Sequence, residues 1–311
     1  MRTTSLYALL ALLAGLETPT HGFSLPFSYC KKVLVAAGMG LSLVSFDAVQ
    51  PAVASPPPPH SIVVLGSNGK TGAQIVSILA EQGFHVQPTS YSVSSKNKWE
   101  GNVNVYAPIR ADVTDPASLA EALSGAEAVV FAASASNGGG NAEKVDFIGV
   151  DNVAKACVSL KVPRLVVISS GAVTRPDSLG FKITNIFGGI MDFKRRGEDA
   201  LRVDYAEAGD ELGYAIMRPG GLVDKKAVGP IEIELNQGDT IAGEISRQDL
   251  AQSVAAAATS KTIPSRVTFE LSEIGSTGTL EGKFPKTSGY ERRGNTYDEM
   301  FKGLTPLLNK L

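Results

Sequence analysis

Cysteine is almost missing from this 311-residue chain, with only Cys30 and Cys157 present. One cysteine beyond residue 59 excludes an internal disulfide framework and a cysteine zinc site there. Histidine is equally scarce: His21, His60 and His85 are too few for a histidine metal cluster. A surplus of one charge sign is missing too, since 29 basic and 31 acidic residues leave a net charge of −2. No basic face for nucleic acid follows from that balance. The two apolar stretches near the start, residues 6–16 and 33–46, both fall short of the roughly 20 residues of a membrane-spanning helix. What remains is ordinary for a globular protein, with 43% hydrophobic and 19% charged residues and enough length for a full core.

The first 59 residues differ from the rest and are set aside before any fold is read. Met1 and Arg2 lead into the apolar stretch 6–16, so residues 1–22 read as a signal peptide. A second leader follows, with Phe23, Pro26, Lys31 and Lys32 ahead of the run 33–46. It closes on the small-residue pattern Ala52-Val53-Ala54 and the prolines 56–59. Two leaders in series imply two membranes crossed. Phe23 with Pro26 resembles the bipartite leader of algae with complex, secondarily acquired plastids. That resemblance implies a plastid protein in which residues 23–59 are a transit peptide, a thylakoid-transfer-like segment and a proline-rich linker. Lys31-Lys32 stands where a twin-arginine transfer signal has arginines, so stroma and lumen both stay open. Without residues 1–59 the chain loses Arg2, Lys31 and Lys32, and Glu17 and Asp47, leaving 26 basic and 29 acidic residues. No integral membrane span is expected in the mature chain.

The mature chain is organised around residues 61–72, SIVVLGSNGKTG. Ile62, Val63, Val64 and Leu65 read as a buried strand, and a helical pattern with Ile75, Val76, Ile78 and Leu79 follows, closed by Gly83. Between them lies the expected dinucleotide loop: Gly66, Ser67, Asn68, Gly69, Lys70, Thr71 and Gly72. Gly66 permits the tight turn, Gly69 lets backbone N–H groups approach a pyrophosphate, and Gly72 lets the helix pack on its strand. The anion then sits on the positive end of the helix. The other common nucleotide loop needs four residues between its first glycine and a Gly-Lys-Thr; here only Ser67 and Asn68 intervene.

A second strand is expected at residues 84–89, and its end decides the cofactor: an acidic residue binds a ribose 2′-hydroxyl, an arginine a 2′-phosphate. The chain reads Thr89-Ser90-Tyr91-Ser92, then Lys96 and Lys98. The missing carboxylate, beside donors at Lys70, Ser90, Ser92 and Lys96, favours NADP(H) over NAD(H). A third strand is expected at 103–110. In the following Ala111-Asp112-Val113 turn, Asp112 either closes over an adenine or serves as a turn carboxylate. Thr114 or Asp115 caps a helix through residue 123, with Pro116 at its first position. Residues 127–134 form a fourth strand ending in Ala132, Ala133 and Ser134, small enough for a cofactor's ribose and nicotinamide half. A helix over 142–160 turns Val145, Ile148, Val153, Ala156 and Cys157 inward, with Cys157 as core. A fifth strand, 164–170, ends in Ser169-Ser170.

Together VLGSNGKTG, the Ala111-Asp112-Val113 turn, VVFAAS, VVISS and Met217-Arg218-Pro219-Gly220-Gly221 resemble the atypical short-chain dehydrogenase/reductase superfamily in its NAD(P)H-binding, NmrA-like branch. The likeness runs over about residues 61–271, and residues 245–251 resemble that branch's ISRxDvA motif. It implies an α/β fold, a doubly wound Rossmann-type parallel sheet over residues 60–274, with a small C-terminal substrate-side lobe from the excursion 222–237. The cofactor would lie across the strand ends, reaching Val113, Pro219 and Gly220. The resemblance also implies a chemistry in which a serine holds a carbonyl, a tyrosine donates a proton, and a lysine four residues later assists the tyrosine and holds the ribose. Ser169, Ser170 and Lys194 match; Ile190 stands where the tyrosine belongs. Tyr205 and Tyr214 are available as displaced acids, and spacing selects neither.

Among plastid proteins the chain is similar to photosystem assembly factors and import-associated dehydrogenase-like subunits. The intact cofactor loop beside the missing tyrosine favours a cofactor-loaded redox sensor or assembly scaffold in a plastid complex; the alternative is an NADPH-dependent oxidoreductase acting on a small carbonyl or quinone. Residues 275–311 form a C-terminal extension whose amphipathic tail, with Met300, Phe301, Leu304, Leu307 and Leu308, packs on its own domain or on a partner.

Overall fold

The structure, a computed structural model, describes residues 33–36, 41–44, 60–92, 97–135, 140–186, 188–276, 278–279 and 291–306. The chain divides into two compact units, Met1–Val53 and Ala54–Leu311. In the first, β1 (Val33–Ala36) runs antiparallel to β2 (Leu41–Val44). The other leader motifs, Lys96, residues 280–290 of the C-terminal extension, and Leu307 and Leu308 lie outside the described residues.

The second unit is built on β3 (Ile62–Leu65), buried along its whole length. A strand so placed must hide both faces, which is why its four residues are all aliphatic. They alternate: Ile62 and Val64 join the core on one face, Val63 and Leu65 the core on the other. On either side lie β4 (Val86–Ser90) and β6 (Ala128–Phe131), both parallel to it. The sheet continues through β5 (Ile109–Arg110) at one edge. On the other side it continues through β7 (Arg164–Ile168), β8 (Gly213–Pro219), β13 (Arg266–Glu273) and β10 (Ile233–Asn236). The order is β10-β13-β8-β7-β6-β3-β4-β5, with β10 antiparallel and the rest parallel. This is the doubly wound sheet expected, with its switch point between β3 and β6.

Helices α1 (Lys70–Glu81) and α6 (Arg247–Thr259) cover one face, and α7 (Tyr297–Lys302) joins them. Helices α2 (Pro116–Leu123), α3 (Val150–Ser159) and α5 (Ile190–Ala206) cover the other, and the short α4 (Leu179–Asn185) precedes α5. The expected caps are present: Asp115 accepts from the Ala117 N–H, and Ser246 accepts from the Asp249 N–H. Two small pairs flank the sheet, β9 (Gly221–Val223) with β12 (Glu244–Ser246) in parallel and β11 (Ile241–Ala242) with β14 (Gly278–Thr279) antiparallel. The Phe301 ring lies 5.8 Å from that of Phe269, so the described part of the C-terminal extension packs on this same unit. No helix among the described residues is long and apolar enough to cross a membrane.

Three expected elements differ. The third strand shrinks to Ile109–Arg110 because Pro108 has no N–H to give a ladder, and Val105 makes only an isolated bridge to Val86. The excursion 222–237 is not wholly a lobe, since Ile233–Asn236 extends the main sheet. Residues 143–149 form a π-helical segment ahead of α3. Its wider turn leaves Ile148 37% exposed and brings Asp146 inside at 1%.

Candidate functional site

The strand ends of the second unit open into a cleft of about 1400 Å³, lined at one end by Gly66, Gly69, Lys70 and Thr71 and at the other by Ser170, Lys194 and Glu270. Backbone shapes the first end. Gly66 has φ +82°, and a Cβ there would meet the Ala133 nitrogen at 2.7 Å. A Cβ on Gly72 would sit 2.3 Å from the Gly66 carbonyl oxygen. Helix α1 starts from Gly69 without any side-chain cap, so its first-turn N–H groups face the cleft unshielded. That donor set fits a pyrophosphate.

The loop's other residues serve it differently. Ser67 is buried and its hydroxyl donates to the Thr89 carbonyl at 3.0 Å. Asn68 donates to the Ser90 hydroxyl at 2.8 Å and the Ser92 carbonyl at 2.7 Å, and Ser90 donates to that same carbonyl at 2.7 Å. These three side chains, expected at the cofactor, instead brace the loop against the end of β4. The exposed donors nearby are others. Lys98 reaches the Asn68 carbonyl at 3.0 Å, and Arg110 lies 5.5 Å over the ring of Tyr91, which lines the cleft. Arg110 was missed in the sequence; its signal is the parallel pairing that sets the third strand's last residue beside Ser90. Asp112 and Val113 line the cleft, and the Asp112 carboxylate accepts from the Thr114 N–H and hydroxyl at 2.9 and 2.7 Å, as a turn carboxylate does.

Ala132, Ala133 and Ser134 lead to the second end, with Pro219 and Gly220 opposite. Lys194 meets the fully buried Asp146 carboxylate at 2.8 Å. Asp146 also accepts from the Ser134 hydroxyl at 2.9 Å and the Ala135 N–H at 3.0 Å. Gly197 makes this approach feasible, since a Cβ there would strike the Asp146 carbonyl oxygen at 2.3 Å. Ile190, at the position of the expected acid, is buried and lines the cleft with no proton to give. Tyr205 and Tyr214 are core residues packed edge to face at 5.3 Å, and burial pushes both hydroxyls up. Neither lines the cleft, so neither is a displaced acid. Ser169 has committed its hydroxyl to Glu198 at 2.6 Å; Ser170, half-buried at the wall, donates its own to the Gly171 carbonyl at 3.2 Å.

Beneath this end lies a buried ion network. Arg218 binds Glu198 through Nη2 at 2.5 Å and Nε at 3.0 Å, and Glu270 through Nη1 at 3.1 Å. The second Glu270 oxygen accepts from the Asp239 N–H at 3.0 Å, while the Asp239 carboxylate accepts from the Ala172 and Thr174 N–H groups at 2.6 and 2.8 Å. Burial alone would raise the Glu198 carboxyl, but the charge and hydrogen bonds of Arg218, with Arg202 and Ser169, hold it at about 2. Burial also raises Glu270, and with the Asp239 charge it outweighs Arg218, so this carboxyl is pushed up to about 7. One arginine thus serves two acids unequally.

At the rim, Asp224, just after β9, bridges two cations: Lys70 Nζ at 2.8 Å and Arg247 Nε at 2.6 Å. Lys70 and Arg247 both line the cleft.

Residues 66–261 match the family described as NAD(P)H-binding. An uncharacterised chloroplastic protein of Arabidopsis thaliana is 30% identical over 205 residues, covering 61% of this chain and 69% of its own. The chloroplastic protein TIC 62 of the same plant is 28% identical over 182 residues, 52% of this chain, which spans only 27% of TIC 62. Sanguinarine reductase of Eschscholzia californica is 26% identical, covering 62% of this chain and 81% of its own. A short-chain dehydrogenase/reductase from Veillonella parvula, solved in complex with NADP, shares the fold with a TM-score of 0.54 at 18% identity, over 70% of this chain and 95% of its own. With its sheet order and glycine loop, the chain belongs to the NAD(P)H-binding family, built on a Rossmann-type fold.

Proposed function

We propose that this is a plastid NADP(H)-dependent oxidoreductase acting on a small carbonyl or quinone. One observation carries the reading: the cleft runs on past the dinucleotide loop to a chamber with Ser170, Lys194 and Glu270 in its walls. Its volume of about 1400 Å³ exceeds the ~300–1,000 Å³ of single small-ligand sites, leaving room for an acceptor beside the cofactor. The nicotinamide, when bound, supplies hydride. The chain's own residues do the rest: the Lys194 ammonium, aimed by Asp146, holds the ribose, and the Ser170 hydroxyl exchanges its 3.2 Å bond to the Gly171 carbonyl for one to the acceptor oxygen. Glu270 holds the proton that the missing tyrosine would have carried and passes it to that oxygen, leaving a carboxylate that solvent reprotonates. The preference for NADP(H) draws support from Lys98 and Arg110 and from the absence of a carboxylate at the end of β4. Plastid location draws support from the two leaders and the chloroplastic relatives. A redox sensor or assembly scaffold is the second reading, favoured by Ile190 at the acid position.

NADPH consumption measured across quinones and aldehydes separates the two. Because Glu270 is raised to about 7, it keeps its proton below that pH and loses it above. Turnover should therefore fall as pH rises through about 7. Glu270→Gln should lower turnover by ~10²-fold or more and abolish that limb. NADPH binding without consumption of any acceptor would overturn the enzyme and leave the sensor.

A further inference from the structure

We infer that Lys70 and Arg247 form a clamp for a phosphate of the dinucleotide, and that Asp224 occupies the clamp as a built-in competitor. Three separate elements meet there. Lys70 is the first residue of α1, Arg247 the first residue of α6, and Asp224 stands in the loop after β9. The two Asp224 oxygens are divided between the cations, one each. A phosphate presents the same paired oxygens with more charge. The α1 N-terminus, uncapped and without an acid in its first turn, favours an anion in this corner, whereas α6 is capped by Ser246 and contributes Arg247 alone. Glu244 is the other carboxylate in this wall of the cleft, while the neighbouring Lys225 is engaged by Glu273 at 2.6 Å.

Asp224 is a weak occupant. Its side chain is 56% exposed and that of Lys70 72%, so water screens the pairs and either can part at small cost. Removed from its cations, the Asp224 carboxylate simply hydrates. While present, it places a negative charge where a cofactor phosphate must come. Since Lys70 belongs to the open first turn of α1, the phosphate is the pyrophosphate, common to NADPH and NADH. The clamp stands whether or not the bound dinucleotide reduces anything.

The test titrates NADPH and NADH into the full chain and its variants, following emission of Trp99, the one tryptophan. Asp224→Asn should tighten both dinucleotides about threefold to tenfold and steepen their salt dependence; Arg247→Gln and Lys70→Gln should weaken both by a similar factor. Melting temperatures within a degree or two of the wild type control for folding, as these side chains are exposed. Tightening confined to NADPH would keep the clamp and assign it to the 2′-phosphate. Unchanged or weaker binding in Asp224→Asn, or wild-type binding in Arg247→Gln, would overturn it.

Discussion

At the Lys70 end of the cleft the wall facing a ligand is backbone; at the Lys194 end it is side chain. The first end gets its shape from glycines that let chain touch chain, as where Gly72 closes on Gly66 and Gly66 on Ala133. The second gets its shape from charges gathered out of four segments, with Glu198, Arg218, Asp239 and Glu270 holding one another beneath it. A backbone site depends on sterics within a few residues and has little to titrate. A side-chain site depends on the whole topology and carries its chemistry in shifted protonation. On the oxidoreductase reading the fold therefore separates binding from reactivity, so each can be broken alone.

The hardest break comes at Arg218. Arg218→Leu leaves Glu270 without its cation and Glu198 with Arg202 alone, and should cost about 3–5 kcal/mol in urea unfolding. A cost below about 1 kcal/mol would mean that charge does not build this end. Gly72→Ala comes next. Its methyl would overlap the Gly66 carbonyl, so the loop must move, at about 1–3 kcal/mol of stability. NADPH affinity should fall at least tenfold while the ion network stays intact; calorimetry reads the first and the pH dependence of unfolding the second.

That pH dependence has two signed parts. Glu198 is lowered to about 2, so its stabilisation is present above the usual carboxylate range and is lost as pH falls through it towards 2. Glu270 is raised to about 7, so the folded state binds its proton more tightly than the unfolded chain does. Stability then declines as pH rises from the usual carboxylate range to about 7. Relative to the wild type, Glu270→Gln should gain stability on going from about pH 5 to about pH 8. A constant difference would show that Glu270 is ionised throughout.

The same contrast explains what could be read from the chain. The loop, the strand before it and the helix after it lie within some twenty residues, so glycine spacing and aliphatic runs disclosed them. The Ser246 and Asp115 caps are equally local and were legible. The ion network was not, because its partners lie 20 to 52 residues apart and only the β8–β13 pairing sets Arg218 beside Glu270. Asp146 was hidden for another reason: an α-helical period put Ile148 inside, and the π-helical segment exchanged the two. Ser67 and Ser90 looked like cofactor donors because composition does not tell a hydroxyl facing the cleft from one bonded to its own loop.

The smallest effect sharpens the comparison most, since Arg110 is a side chain at the backbone end. It lies at the tip of β5, exposed, with Tyr91 beneath its guanidinium and Asp112 no nearer than 4.0 Å. Its Nε donates to the Tyr91 carbonyl at 3.2 Å and its charge is little neutralised, so on the NADP(H) reading its guanidinium is the group that meets a 2′-phosphate. Exposure limits the gain, as with surface pairs generally, to about 0.5–1 kcal/mol. Arg110→Gln should accordingly raise the Kd for NADPH about threefold, leave that for NADH within experimental scatter, and leave the melting temperature alone. Equal losses for both dinucleotides would mean that Arg110 packs against the adenosine through Tyr91, and cofactor choice would then rest on Lys98.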